Sequence, residues 1–457
     1  MRITKRALIS VSFVATASLA LAGCVSSGGG SNNNNSDGGT GEVTYWGAFY
    51  APTTEEAFQE IFVDGFNAES DASVDMEVKE LTTIGQLTDT AVSAGQAPDI
   101  VYSDGPTSAS DFARADRTLP LGEYAEQYGW EDKFLPWAYE LSTVDGEVSS
   151  VPASYGSMAL FYNTEVFKEH GWTPPTTLAE FETIAKEADE AGMVPIGGGN
   201  AGYQGMSEWL ITSVFNAAVG PEKLYDALTG EASFTDPEFV SAIELIQSWI
   251  DKGWLAGGSE SYFTTDDTAN VTGLANGTTA MYMTGTWTFN SLGEVFDDPS
   301  QWGWAPLPSL SDAVEPGVYP LAIGTQLSVS ADAADPAAAA SFIDYVAGDV
   351  DRALSYTART GENPPPLQMS ADQFPEDVDE RTVQLYTDIP ESTNVGYATW
   401  TFFPPKTNAY LISEFDKVVT GDATAEEYLA GMQDAFDKEF DAGTTLVPFT
   451  PSSRAGQ

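Results

Sequence analysis

The sequence predicts an α/β fold in which a parallel sheet is covered by helices, and three observations predict it. From residue 43 onward, short apolar runs alternate with amphipathic stretches. The first five of these read strand, helix, strand, helix, strand, the rhythm of a sheet built by crossovers. The chain has 457 residues and is 42% hydrophobic, enough for two or three domains with ordinary cores.

The elements follow in order. Residues 43–46 (Val-Thr-Tyr-Trp) form a strand, and 53–67 an amphipathic helix with Phe58, Ile61, Phe62 and Phe66 on one face. Residues 74–78 are a second strand, 81–94 a second helix and 100–102 a third strand, followed by a loop of small residues at 103–110. A strand-like stretch at 148–155 leads into 159–163. A helix at 178–191 precedes a strand at 193–196 that ends in glycines. Helices are expected at 206–218, 221–228 and 237–252, and strands at 279–283, 302–307 and 321–329, with Pro308, Pro316 and Pro320 between the last two. Pro336 suits the first turn of a helix at 336–347, with Asp335 as its N-cap. A proline-rich segment at 363–366 and a final helix at 422–440 complete the reading.

The first 42 residues stand apart from the fold. Arg2, Lys5 and Arg6 are followed by sixteen uncharged residues, Ala7 to Ala22, the last two of which open the run Leu21-Ala22-Gly23-Cys24. A basic start, a short apolar region and small residues describe a secretory signal. The apolar run is too short, and too rich in Ala, Ser and Thr, for a spanning helix of about 20 predominantly apolar residues. Residues 25–42, dominated by Gly, Ser and Asn, read as a flexible tether with a reach of roughly 23 Å.

Charge and composition exclude whole classes of function. Asp and Glu number 68 against 18 Lys and Arg, for a net charge of −50. Such a chain repels phosphate backbones, so no nucleic-acid partner is expected. One Cys and one His allow neither an internal disulfide nor a multi-histidine metal site. No metal or cofactor is expected. Gly197-x-Gly199-x-x-Gly202 formally fits a dinucleotide fingerprint, but it lacks the surrounding unit. It reads better as a loop at the C-terminal end of a strand, where α/β sheets present ligand-contacting groups. His170, before Gly171, suits a helix C-terminus rather than catalysis. With 68 carboxylates, accidental pairs are too many to argue for a glycosidase.

The aromatics say more. Several lie next to glycines in predicted loops: Tyr155 before Gly156, Tyr203 and Trp209 around Gly205, Trp287 after Gly285, and Tyr397 and Trp400 after Gly396. Trp46 and Tyr50 flank the end of the first strand. Flat rings pack against the apolar face of a sugar, while Asp, Asn and Arg take its hydroxyls. The alternative is ordinary packing between lobes.

Five stretches then carry a family resemblance. These are Ser93-Ala94-Gly95-Gln96-Ala97-Pro98-Asp99-Ile100-Val101; Leu160-Phe161-Tyr162-Asn163; Gly171-Trp172-x-Pro174-Pro175-x-Thr177 with Glu180; Asn276-Gly277-x-x-Ala280-Met281-Tyr282-Met283 with Gly285 and Trp287; and the stretch from Ala338 to Tyr345 with its Ala-Ala-x-x-Phe-Ile pattern. Together they resemble the carbohydrate-type extracellular solute-binding lipoproteins of ABC importers, the class of the maltose-binding protein. Leu178 departs from the Trp usual at that position. The Leu-Ala-Gly-Cys segment resembles a bacterial lipoprotein signal, which implies cleavage before Cys24 and lipidation of its sulfur.

The resemblance implies a two-lobe periplasmic-binding-protein-like fold with a hinge crossed about three times, near residues 152–155, 316–320 and 389–397. Residues 1–23 would be the signal peptide, and 24–42 the lipidated Cys24 and tether. Residues 43–153 and 319–390 would form the N-terminal lobe, and 154–318 and 391–450 the C-terminal lobe. The implied protein is an extracytoplasmic monomer without enzymatic activity. It is anchored to the cell membrane through Cys24, binds a mono- or oligosaccharide between its lobes and delivers it to membrane permease subunits. The candidate ligand contacts are Tyr50, Asp104, Tyr155, Asn200, Tyr203, Trp209, Trp287, Arg359 and Trp400, with Trp287 matching the family's stacking Trp. Two other readings stay open from the residues alone: a surface glycosidase using paired carboxylates, and a non-catalytic polysaccharide-binding envelope protein.

Overall fold

The computed structural model describes residues 39–49 and 51–451. The expected signal peptide, Cys24, most of the tether, and Tyr50 lie outside the described residues. Strands Glu42–Gly47, Ser73–Val78 and Ile100–Asp104 pair in parallel, with the first of them in the middle. Beyond Ile100–Asp104 the sheet changes character. Tyr319–Val329 runs antiparallel to it, and Val151–Asn163 antiparallel to Tyr319–Val329. Thr279–Gly285 follows, again antiparallel, and Val194–Ile196 pairs in parallel with it at the far side. The parallel pairing expected of the first three strands holds, and Val194–Ile196 with Thr279–Gly285 and Val395–Tyr397 with Tyr319–Val329 are parallel too. The antiparallel pairings of Tyr319–Val329 with Ile100–Asp104, and of Val151–Asn163 with its partners, make the sheet mixed.

Val151–Asn163 is the spine of the molecule. Its 13 residues span roughly 43 Å at strand rise. Residues 151–157 pair with Tyr319–Val329, and residues 158–163 pair with Thr279–Gly285 and Trp302–Ala305. The strand thus changes partners at Ser157 and Met158. Two apolar clusters lie along it. The smaller gathers Val43, Tyr45, Phe58, Phe62, Phe66, Ile100, Leu327 and Phe342. The larger is built on Leu160, Phe161, Phe181, Phe215, Trp249, Met281, Leu411 and Phe436, and it also takes Leu385, Tyr386 and Ile389.

Local sequence explains most helices. Phe58, Phe62 and Phe66, four apart, face the smaller cluster from one continuous helical run of three segments: Pro52–Phe58, the π-helical Gln59–Asp64, and Gly65–Glu69. The Asn163 side chain caps Thr164–His170, and Gly171 ends it at φ 72°. Asp335 caps Pro336–Ala347, as expected. The same carboxylate accepts the N–H groups of Thr40 and Gly41 at 3.1 and 2.9 Å. The described end of the expected tether is therefore held against the body.

One expectation fails. The small-residue stretch after the third strand is the start of a helix, Gly105–Arg114, with Pro106 in its first turn. Its Thr107, Ala109 and Ser110 are buried. Small side chains let it approach its neighbours closely, and Thr107 Oγ1 donates to the Thr401 carbonyl at 3.0 Å. Nor does the sequence reading anticipate helices Glu380–Glu391 and Pro405–Thr420. Among the described residues, no helix is long and apolar enough to cross a membrane.

Candidate functional site

Four of the candidate rings meet in a row. Tyr203 lies 5.6 Å from Trp209 between ring centroids, Trp209 lies 5.0 Å from Trp287, and Trp287 lies 5.7 Å from Trp400. The three indoles are half-buried and Tyr203 is 46% exposed. The row thus keeps accessible aromatic surface, unlike a core cluster.

Each ring is placed by its local sequence. Trp209 sits in the first turn of Met206–Val214, after the glycine-rich loop. Trp287 follows strand Thr279–Gly285, and its ring lies over Gly285. A Cβ at that glycine would come within 2.1 Å of the indole. The turn is held by Thr286, whose N–H donates to the Ser157 carbonyl at 2.9 Å and whose hydroxyl accepts from Ser157 N–H at 3.2 Å. Trp400 lies in the short helix Thr399–Phe402, between two buried, hydrogen-bonded threonines. Thr399 Oγ1 bonds to Thr212 at 2.8 Å, and Thr401 Oγ1 accepts from Ile323 N–H at 3.1 Å. With both neighbours turned inward, Trp400 remains at the site. Buried Asn216 braces the same region by donating to the Tyr397 carbonyl and accepting its N–H, both at 2.8 Å.

Two carboxylates flank the row. Asp104 ends strand Ile100–Asp104, next to Gly105, and a Cβ on Gly105 would lie 3.3 Å from the Trp400 carbonyl oxygen. Gly105 has φ +79°, so this close approach is suited to glycine. The Asp104 side chain is open to solvent yet sits in a concavity. The surrounding protein raises its pKa, opposed by the Tyr102 hydroxyl, which donates to Oδ1 at 2.5 Å. Glu208, the residue before Trp209, is buried and accepts from Thr399 Oγ1 at 2.8 Å. Burial pushes its carboxyl up to about 7, hydrogen bonds from Thr399 and Asn408 oppose the rise, and the charge of Asp104 adds to it. The Trp287 Nε1–H is buried without a hydrogen-bond partner, a free donor within the row.

The remaining candidates fall elsewhere or lie outside the described residues. Tyr155 is 1% exposed, packed between Trp137 and Tyr386 at 6.1 and 5.1 Å. Asn200 is buried, and its amide donates to Asp416 at 2.8 Å. Arg359 pairs with Glu60 at 2.6 Å beside a separate groove lined by Asn290 and Thr360. Tyr50 is outside the described residues. Glu208 is a residue at the site that the sequence reading misses. Its signal is an acid on the apolar face of a helix that also buries Met206, Leu210 and Ile211. Among the described residues, no group of three or more His, Cys, Asp and Glu side chains could hold a metal ion.

An accessible aromatic row with flanking carboxylates, packed against the larger apolar cluster, is the candidate site. The chain belongs to the bacterial extracellular solute-binding protein family, which it matches over residues 51–353, about two thirds of its length. The family is one of binding proteins rather than enzymes. The chain is similar to a binding protein of Brucella abortus (strain 2308), 26% identical over 260 residues. That match covers 56% of this chain and 60% of the relative, so the chain spans less than two thirds of its length. A chitin oligosaccharide binding protein shares the fold with a TM-score of 0.76 at 20% identity, covering 87% of this chain and 98% of that one. The acarbose-binding GacH receptor of Streptomyces glaucescens shares it with a TM-score of 0.71, also at 20% identity, over 87% of this chain and 98% of that one. These likenesses confirm the two-lobe α/β architecture expected from the sequence.

Proposed function

We propose that the chain is the substrate-binding component of an ABC importer, and that it captures a mono- or oligosaccharide and hands it to membrane permease subunits. The observation that carries this reading is the row Tyr203, Trp209, Trp287 and Trp400, with Asp104 and Glu208 at its flanks. Half-exposed rings offer apolar faces to sugar C–H groups, and the exposed Asp104 carboxylate can accept from sugar hydroxyls, with Glu208 buried behind the row. Structural neighbours that bind a chitin oligosaccharide and acarbose support the same class.

In this reading, residues 43–153 with 319–390 form one lobe and 154–318 with 391–450 the other. The ligand favours the closed arrangement because it touches both. Cys24 carries the lipid that holds the monomer outside the cytoplasmic membrane. Tyr155, turned into the core, and Asn200, bonded to Asp416, would act as support rather than as contacts.

A thermal-shift screen of the purified chain against monosaccharides, oligosaccharides, amino acids and short peptides tests the reading. A saccharide at one hundred times its dissociation constant should stabilise by about 2.7 kcal/mol. A shift with amino acids or peptides alone sinks the carbohydrate assignment. For the anchor, fatty-acid labelling that persists in Cys24→Ala would refute lipidation at that residue.

A further inference from the structure

The aromatic row is held from behind by a hydrogen-bond relay that ends on an acid. Glu208 is 4% exposed and precedes Trp209 in the first turn of helix Met206–Val214. Its Oε1 accepts from Thr399 Oγ1 at 2.8 Å, and the residue after Thr399 is Trp400. Thr399 is gripped a second time. Its N–H donates to Thr212 Oγ1 at 3.2 Å, and the two hydroxyls bond at 2.8 Å. A hydroxyl has one proton to give. Thr399 spends its own on Glu208, so Thr212 donates to Thr399. Glu208 and Thr212 lie on the helix that carries Trp209, so the relay fixes Trp400 to the backbone of a neighbouring ring of the row. On its other side, Thr401 is held separately by Thr107 and the Ile323 N–H.

The surroundings of Glu208 suit a proton as well as a charge. Its hydrogen-bonding neighbours are neutral: Thr399, and Asn408 from helix Pro405–Thr420. Asn408 Oδ1 is buried with no hydrogen-bond partner. An amide donates at one end and accepts at the other, so Asn408 can serve the carboxylate with its NH2 or the protonated acid with its oxygen. The titratable groups facing Glu208 are Asp104, at the other flank of the row, Tyr203, in the loop before its helix, and Tyr428 of helix Ala425–Asp441. Burial keeps both phenols protonated, which leaves Asp104 as the charged member. Asp104 is exposed, and water screens it from Glu208. A saccharide lying on the row displaces that water. Repulsion between the two carboxylates then grows, and a proton on Glu208 removes it. A ligand that favours the protonated acid binds more weakly once that acid ionises.

We propose that Glu208 is a positioning residue of the aromatic row: through Thr399 it fixes Trp400, and a saccharide that covers the row binds together with a proton taken up by Glu208. This rests on the saccharide-binding reading above and adds a proton to its binding equilibrium.

The test is calorimetric titration of the full chain with two uncharged probes, maltotetraose and N-acetylated chitotetraose, or with whichever saccharide the thermal-shift screen selects. Titrations at about pH 7 in two buffers of different ionisation enthalpy count the protons exchanged. The expected result is uptake of a fraction of a proton per ligand, and affinity about threefold to tenfold weaker at pH 8.5 than at pH 6. Glu208→Gln keeps an acceptor for Thr399 but cannot gain a proton, so uptake should vanish and affinity should be equal at the two pH values. Thr399→Val breaks the relay without changing shape. It should weaken binding about fivefold or more at pH 6, and Thr399→Ser should restore most of the loss. Binding without proton uptake overturns the proposal and leaves the saccharide reading standing. Uptake that persists in Glu208→Gln assigns the proton to another group and overturns it as well. Full affinity in Thr399→Val removes the positioning role. Failure of every saccharide to bind overturns the underlying function.

Discussion

Two groups of aromatic rings in this molecule have nearly the same spacing and different surroundings. In the smaller apolar cluster, Phe58 lies 4.9 Å from Phe62, 5.8 Å from Tyr45 and 6.0 Å from Tyr356. The row of Tyr203, Trp209, Trp287 and Trp400 is spaced at 5.0–5.7 Å. Ring geometry does not separate them, but the surroundings do. Phe58, Phe62 and Tyr45 are each under a tenth exposed, and helical and strand backbone surrounds them. The row keeps open faces, an unpaired indole N–H and two carboxylates at its flanks. In the proposed reading, the cluster that leaves aromatic surface wet and polar groups incomplete serves a ligand. A cluster that closes over its rings has been kept for stability.

The comparison can be broken first at the core. Phe58→Ala should cost about 3–5 kcal/mol of stability through cavity formation, read as a large fall in denaturant midpoint. A loss under about 1 kcal/mol would mean that this cluster is as adaptable as a binding surface.

The next largest effect tests the acid behind the row. Glu208 is raised to about 7 from an ordinary 4.5, so the folded protein holds a proton that the unfolded chain releases. The native state binds more protons between these values, and stability therefore falls as pH rises from 4.5 to about 7. Glu208→Gln removes that dependence. Its stability relative to the parent should grow across this window by up to about 3 kcal/mol and level off above it. Paired thermal melts at several pH values check this. A difference independent of pH would place Glu208 in an ordinary ionised state.

How much of this was legible follows from what each residue type signals. Large rings beside glycines stand out in a sequence, so Trp209, Trp287, Trp400 and Tyr203 were found. The glycine that marks Trp287 also makes the room its indole occupies. Glu208 was hidden because one acid among 68 carries no signal, although its neighbours on the helix are apolar. Helix Gly105–Arg114 was hidden for a related reason. Its Ser, Thr and Ala residues look like a loop, and only the packing partner, Thr401, shows why they must be small. Tyr155 and Asn200 were chosen by position along the chain. Neither closeness to a crossing nor a glycine loop says which way a side chain faces. The structure turns one into the core and the other onto Asp416.

Trp287→Ala should separate binding from folding. Loss of one stacking contact of about 1.4 kcal/mol weakens saccharide affinity by roughly tenfold, while the half-buried position keeps the stability cost below that of Phe58→Ala. An unchanged dissociation constant would move the row from the ligand to the packing side of the comparison.

The smallest effect is expected at Arg359, where the comparison is sharpest because a charged residue was proposed on family position alone. Its guanidinium lies 2.6 Å from Glu60, with both side chains substantially exposed. An exposed pair of this kind contributes about 0–1 kcal/mol. Its groove also takes Asn290 and Thr360. Arg359→Ala should therefore shift the melting temperature by about a degree or less and change saccharide affinity less than about twofold. A tenfold loss with small sugars would mean that closing the lobes brings the groove onto the ligand. A loss confined to longer oligosaccharides would mean that the chain of sugar units leaves the aromatic row towards Asn290, and the site would then be read as two surfaces joined at Trp287 rather than one.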